Sequence, residues 1–187
     1  MANMFEEYSK EVIAVATHMR WEKVQELSEV LLEAWKRKRQ VFLCGNGGSA
    51  ANAIHLANDY LYGIGRDAKL GMRVEGLPSN QSVLTCLGND VGYENIYSEQ
   101  LKVKAECGDV LIVFSGSGNS PNVVNAIELG NKIGMKTCAI VGYSGGKCRE
   151  LAKLVVHIEI DDMQIAEDFQ LIIGHMCMQW LRRQITN

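Results

Sequence analysis

Twice in this chain an apolar run ends in a loop of glycines and small polar residues that opens directly into a helical pattern. The first is Val41-Phe42-Leu43-Cys44 followed by Gly45-Asn46-Gly47-Gly48-Ser49. The second is Val110-Leu111-Ile112-Val113-Phe114 followed by Ser115-Gly116-Ser117-Gly118-Asn119-Ser120-Pro121. Both runs are apolar at consecutive positions, the pattern of strands covered on both faces and therefore of a parallel sheet. Met72-Arg73-Val74, Cys138-Ala139-Ile140-Val141 and Leu154-Val155-Val156-His157-Ile158 read as further strands. The stretches 50–62, 81–105 and 121–134 are long enough for the crossover helices that parallel neighbours require. Together these patterns predict an α/β protein with a doubly wound parallel sheet in a three-layer α/β/α arrangement.

Before the first strand, residues 4–37 carry helical periodicity in two stretches, with Val24, Leu27, Leu31 and Trp35 marking the second. Their apolar surface exceeds what one small sheet can cover, so packing between subunits is an expected use for the surplus. A last helix is expected over residues 163–185. No linker or low-complexity tract divides the chain, which predicts one domain over 1–187: helices to 37, then an α/β core from 40 onward.

Composition narrows the function classes. A net charge of −3 supplies no field that would draw the protein to nucleic acid or an anionic membrane. No apolar run approaches the roughly 18–20 residues needed to cross a bilayer. The start, MANMFEEYSK, lacks the basic-then-apolar layout of a secretory signal, so a cytoplasmic location is expected. The six cysteines, at 44, 86, 107, 138, 148 and 177, form no CxxC pair and are expected to be reduced. The basic tetrad Lys36-Arg37-Lys38-Arg39 closes a helical pattern, where cations offset the negative helix end.

Each loop between strand and helix offers backbone N–H groups, small hydroxyls and a positive helix end, the means to hold a phosphate. Ser120 suits an N-cap and Pro121 the first helical position. GNGGSA also satisfies the dinucleotide fingerprint, but that site needs an acidic residue at the end of the second strand. Asp67 precedes the predicted strand and Glu75 follows too late, so no nucleotide cofactor is expected. GYSGGKC lacks the spacing of a phosphate-binding Walker loop. Two loops at two strand ends fit one ligand that carries a phosphate and several hydroxyls.

Strand-GNGGS-helix followed by strand-SGSGNSP-helix resembles the sugar isomerase (SIS) domain, and more narrowly the phosphoheptose isomerases. Gly88-Asn89-Asp90 with Gly92-Tyr93-Glu94 resembles that family's segment between the loops, and Gly142 to Lys147 its later glycine turn. The resemblance runs from the N-terminal helices to the end of the chain. It implies a flavodoxin-like sheet and interconversion of sedoheptulose 7-phosphate with glycero-manno-heptose 7-phosphate through an enediolate, supplying lipopolysaccharide or capsule and S-layer glycans. It also implies a homotetramer with active sites between subunits. Relatives that bind the replication initiator keep the fold but lack the catalytic pair, which leaves a non-catalytic sugar-phosphate-binding or initiator-associating role as the alternative.

Shifting a carbonyl between neighbouring carbons requires a base for a carbon-bound proton and an acid for the oxygens. His55 and Asp59, four apart, share one helix face, and Glu167, Asp168 and His175 lie in the closing helix. By resemblance, Asp59 takes the place of the family's catalytic glutamate and His175 that of its catalytic histidine. Ser49, Ser115, Ser117 and Ser120 fall at substrate- and phosphate-binding positions, with Asn46, Gly47, Asp90, Gly116, Asn119 and Glu167 beside them. Some members hold zinc through residues corresponding to His55, Asp59, Glu167 and His175. Glu167 and His175 are eight apart, about 12 Å along a helix axis, so one ion reaches both only if they lean together or come from different subunits. Asp59 is one methylene shorter than the usual glutamate, and Glu167 stands where a glutamine is usual.

Overall fold

The computed structural model describes residues 3–64 and 71–186. Two helices lead, α1 (Met4–His18) and α2 (Trp21–Lys36), and then strand and helix alternate. The strands are β1 (Val41–Cys44), β2 (Val74–Gly76), β3 (Val110–Ser115), β4 (Lys136–Val141) and β5 (Leu154–His157). After β1 comes α3 (Gly47–Asn58), which widens into a π-helical turn over Asp59–Gly63. Beyond β2 lie α4 (Gln81–Asp90) and α5 (Ser98–Lys104); α6 (Pro121–Ile133) follows β3, α7 (Gly146–Leu151) follows β4, and α8 (Met163–Thr186) closes the chain.

All five strands are parallel, in the order β2-β1-β3-β4-β5. This is the flavodoxin-like winding, with its switch point between β1 and β3. Alternate side chains explain the continuous apolar runs. Val41, Leu43, Val110, Ile112, Phe114, Cys138 and Ile140 pack into one core with α2, α3 and α8. Phe42, Cys44, Leu111, Val113, Ala139 and Val141 pack into a second core with α5, α6 and α7. A strand buried on both faces has no position to leave polar. Each fully buried Leu, Val or Phe in these layers contributes about 1.5–3 kcal/mol relative to its exposed state.

Two boundaries depart from the sequence expectation. The second strand lies at Val74–Gly76 rather than 72–74, with Val41 opposite Val74. An edge strand of three residues leaves too short an apolar signal to fix its ends. The helix expected over 81–105 is two, because the chain turns at Gly92, whose φ of +91° an L-side chain rarely adopts. Asn80 caps the first piece by accepting a hydrogen bond from the Val83 N–H. The basic tetrad divides as expected only in part. Lys36 ends α2 and Arg37 pairs with Glu33, but Arg37, Lys38 and Arg39 also line a cavity of about 410 Å³ whose walls carry charges of both signs.

Polar contacts stitch α8 across the first core. Asn52 donates to the Glu167 carbonyl and to Gln170 Oε1. The buried Tyr60 hydroxyl donates to the Gly174 carbonyl. On the outside, the Tyr8 hydroxyl of α1 donates to Asp168, and that bond pushes the phenol up to about 12.

All six cysteines are free thiols, and Cys44, Cys138, Cys148 and Cys177 are buried. Burial pushes Cys138 and Cys148 up to about 12 and Cys177 up to about 11, with Cys44 raised further. Because the thiolate is the nucleophile, a thiol reagent at about pH 8 is expected to modify only Cys86 and Cys107 in the native protein. Cys86 is further restrained by its hydrogen bond to Asp90, which raises its pKa. Counting modified thiols before and after denaturation checks this; fast modification of a third native thiol would contradict it.

Candidate active site

The crevice where ligands gather in an open parallel sheet lies beyond the carboxyl ends of the strands at the switch point. Both glycine loops are there, and α3 and α6 leave them toward opposite faces of the sheet. A reciprocal amide pair ties the loops together. Asn46 Nδ2 donates to Asn122 Oδ1 at 2.8 Å, and Asn122 Nδ2 donates to Asn46 Oδ1 at 2.8 Å. The Tyr93 hydroxyl donates to Asn46 Oδ1 as well, and Tyr97 donates to the Gly45 carbonyl.

At the first loop, Asn46 stands at the N-cap position of α3, with Gly47 the first helical residue and Ser49 buried. The Ser49 N–H donates to Glu167 Oε1 at 3.1 Å, so a carboxylate from α8 sits on the positive end of α3. At the second loop, the Ser115 hydroxyl accepts from the Gly118 N–H at 3.0 Å and the Ser117 hydroxyl from the Asn119 N–H at 3.3 Å. Asn119 Oδ1 accepts from the Lys147 N–H at 3.0 Å. Gly116 lies against Met163 and the Tyr143 ring. Ser120 occupies the N-cap position of α6 without a side-chain cap hydrogen bond, and Pro121 follows. One helix end therefore carries the protein's own carboxylate, while the other presents a serine hydroxyl and the mouth of a glycine loop.

The structure brings three of the four expected metal ligands together. His55 Nε2 and His175 Nε2 are 3.0 Å apart, and Asp59 Oδ2 lies 3.5 Å from the first and 3.3 Å from the second. His55 and Asp59 come from the last turn of α3 and the start of the π-helical turn, a widening common at functional sites. His175 comes from α8, its ring edge-on to that of His55. Zinc bonds of about 2.0–2.1 Å in a tetrahedron set ligand atoms about 3.3 Å apart, so the triangle has the size of one face of such a site. The donor set, two imidazoles and a carboxylate, also suits that ion.

Glu167 is the exception: it is not in this cluster, and its carboxylate is engaged by Ser49 instead. Two turns of helix separate it from His175, more than side-chain lean within one α8 spans. Asp90 also stands apart from both loops in its contacts. It is exposed at the end of α4, where it accepts from Asn89 and Cys86. Of the two acids weighed for a dinucleotide ribose, Asp67 lies outside the described residues, and Glu75 lies within β2, paired with Lys104 at 2.6 Å.

Asn122 and Tyr97 were not legible as site residues. Their roles are tertiary hydrogen bonds across the crevice, for which neither residue type nor spacing is a signal. The same holds for Tyr143, a non-glycine residue at φ +46° beside the second loop, a conformation costing about 1–3 kcal/mol.

Residues 4–142 match the family model of the SIS domain. The phosphoheptose isomerase of Aliarcobacter butzleri is 33% identical over 178 residues, covering 95% of this chain and 94% of that protein. The phosphoheptose isomerase of Akkermansia muciniphila is 34% identical over 164 residues, covering 87% and 85%. A solved phosphoheptose isomerase from Neisseria gonorrhoeae superposes with a TM-score of 0.86 at 26% identity, covering 95% of this chain and 94% of that one. Another, from Francisella tularensis, gives 0.89 at 21% identity over 96% and 94%, a likeness of fold.

Proposed function

The chain belongs to the SIS domain family, among its phosphoheptose isomerases, and from that premise we propose that it interconverts sedoheptulose 7-phosphate and D-glycero-D-manno-heptose 7-phosphate. The observation that carries this is the His55–Asp59–His175 cluster, formed where the end of the helix that leaves the first glycine loop meets α8. Acid–base groups thus stand at one part of the crevice and an anion-holding loop at another.

In this reading the 7-phosphate sits at Ser115–Ser120, held by backbone N–H groups, serine hydroxyls and the positive end of α6. The other end of the sugar reaches Asp59 and His175. Asp59 takes a proton from C1 of the ketose while His175 donates one to O2, giving the enediol. His175 then withdraws the proton from O1 as Asp59 returns its own to C2, so no net proton is gained or lost. Asp59 divides the work between its oxygens: Oδ2 faces both imidazoles, and Oδ1 has, among the described residues, only the weak 3.4 Å contact from Asn58. Asn46, Gly47 and Ser49 line the sugar's approach.

The cluster would hold zinc through His55, Asp59 and His175; the ion when bound would polarise the substrate's carbonyl oxygen, taking the part that a proton on His175 Nε2 plays without it. Glu167, bound to Ser49 in one subunit, serves the sugar end of the site and is not needed to complete the triangle. Ile54, Leu61, Tyr62 and Met176, each 42–62% exposed on the elements that carry the cluster, support a homotetramer in which subunits cover these sites. No described helix is long and apolar enough to cross a membrane. The proposed setting is the cytoplasm, upstream of lipopolysaccharide or capsule glycan assembly. Because Asp59 and His175 converge, a purely non-catalytic binding role is not favoured.

Following the sugar by NMR tests the assignment: the purified protein is expected to convert sedoheptulose 7-phosphate to its aldose. No turnover of any heptose phosphate, with or without added zinc, would end it. Elemental analysis of protein prepared without chelator is expected to find about one zinc per chain, and chelation to remove it. A metal content near zero after zinc addition would remove the ion from the site.

A further inference from the structure

We propose that His157 is a positioning residue for the phosphate-holding loop, acting through the backbone of Tyr143. The inference rests on the reading that residues 115–121 hold the phosphate. His157 ends β5 and is buried, with 8% of its surface exposed. Its Nε2 lies 2.7 Å from the Tyr143 carbonyl oxygen, which can only accept, so Nε2 carries the proton. Nδ1 makes no hydrogen bond among the described residues, although the Glu159 carboxylate is 3.4 Å away. A buried ring nitrogen without a hydrogen bond is a cost that an apolar residue here would avoid. What the imidazole supplies is the bond to Tyr143.

That bond falls on a strained residue. Tyr143, at φ +46°, is held at both backbone groups from the β5 side: its carbonyl by His157, and its N–H by the Ile160 carbonyl at 2.9 Å. Strain of this kind persists where surrounding contacts over-determine it, and it gathers at functional sites. The segment around Tyr143 is the wall against which the second glycine loop is built. On one side of Tyr143, the Gly142 N–H donates to the Gly116 carbonyl at 2.9 Å. On the other, the Cys148 N–H donates to the Gly118 carbonyl at 2.9 Å and the Lys147 N–H to Asn119 Oδ1 at 3.0 Å. The Tyr143 ring also lies 3.8 Å from where a Cβ on Gly116 would stand. Release of the Tyr143 carbonyl lets its φ relax, and the loop contacts on both sides shift with it. Asp59, in the π-helical turn after α3, and His175, on α8, make none of these contacts.

The effect should therefore appear in phosphate binding and not in the proton transfers. His157→Leu, which keeps the site apolar and filled, is expected to raise KM for the heptose phosphate, and the Kd for inorganic phosphate, about tenfold with kcat changed less than about twofold. His157→Gln, whose amide nitrogen can reach the same carbonyl, is expected to recover most of the loss. In a Tyr143→Gly background, where positive φ carries no strain, His157→Leu should cost clearly less, a coupling that a double-mutant cycle measures. Should the leucine variant fail to fold, His157→Asn, polar but too short for the bond, replaces it in the same comparison with glutamine. Unchanged KM and phosphate Kd in a folded variant, no recovery with glutamine, or equal losses in kcat and kcat/KM would each overturn the inference alone. Wild-type protein that neither binds phosphate nor turns over a sugar phosphate would overturn the functional reading, and this inference with it.

Discussion

Asp59→Ala and His175→Ala are each expected to lower kcat about a thousandfold, since a positioned acid or base contributes roughly 10²–10⁴. Folding should be little affected. Neither side chain is in a core: Asp59 is 20% and His175 41% exposed, and their neighbours across the gap are one another. A typical point change costs about 0.5–3 kcal/mol, and with no cavity opened in either hydrophobic core the lower end of that range is expected. Bound zinc should fall in the same variants, because each removes one corner of a three-cornered site. Steady-state kinetics, a thermal melt and metal analysis on one preparation separate the effects. Activity close to wild type in either variant would remove that residue from the chemistry, whatever its effect on metal.

Gly118→Ala is the second large effect. Gly118 lies at φ +67°, and a Cβ there would stand 1.9 Å from the Gly145 carbonyl oxygen. Backbone cannot yield as a flexible side chain can, so the second loop must move away from the turn before α7. The hydrogen bonds of the Gly118 N–H to Ser115 and of the Cys148 N–H to the Gly118 carbonyl would be strained together. A displacement of about 1 Å in a substrate-holding element can cost about a hundredfold, so kcat/KM should fall by that order, chiefly through KM. The sheet and both cores are untouched, so far-UV circular dichroism should match wild type. A KM within about twofold of wild type would mean that this loop does not hold the phosphate.

Much of the architecture was legible because burial on both sheet faces writes consecutive apolar residues into β1, β3 and β4. β2 was misplaced by two residues because an edge strand of three offers little to read. Within the site, the His55–Asp59 spacing was readable as one helix face. His175, 120 positions away from His55, could be joined to them only through resemblance. Glu167 went elsewhere for a geometric reason: on α8 it stands level with the start of α3, whereas His175 stands level with its end. Nothing in the sequence couples Tyr143 to His157, because a positive φ and a tertiary bond to a carbonyl leave no trace in residue type.

The tie between Asn46 and Asn122 carries no formal charge on either side. Neither ionic strength nor the protonation of any carboxylate or imidazole loosens it. Salt screens exposed charges over about 10 Å at 0.1 M, and so weakens both attraction and repulsion felt by an incoming phosphate. The frame that joins the two loops has nothing for counter-ions to screen. Added salt should therefore alter the rate at which the sugar phosphate is captured while leaving the shape that receives it unaltered.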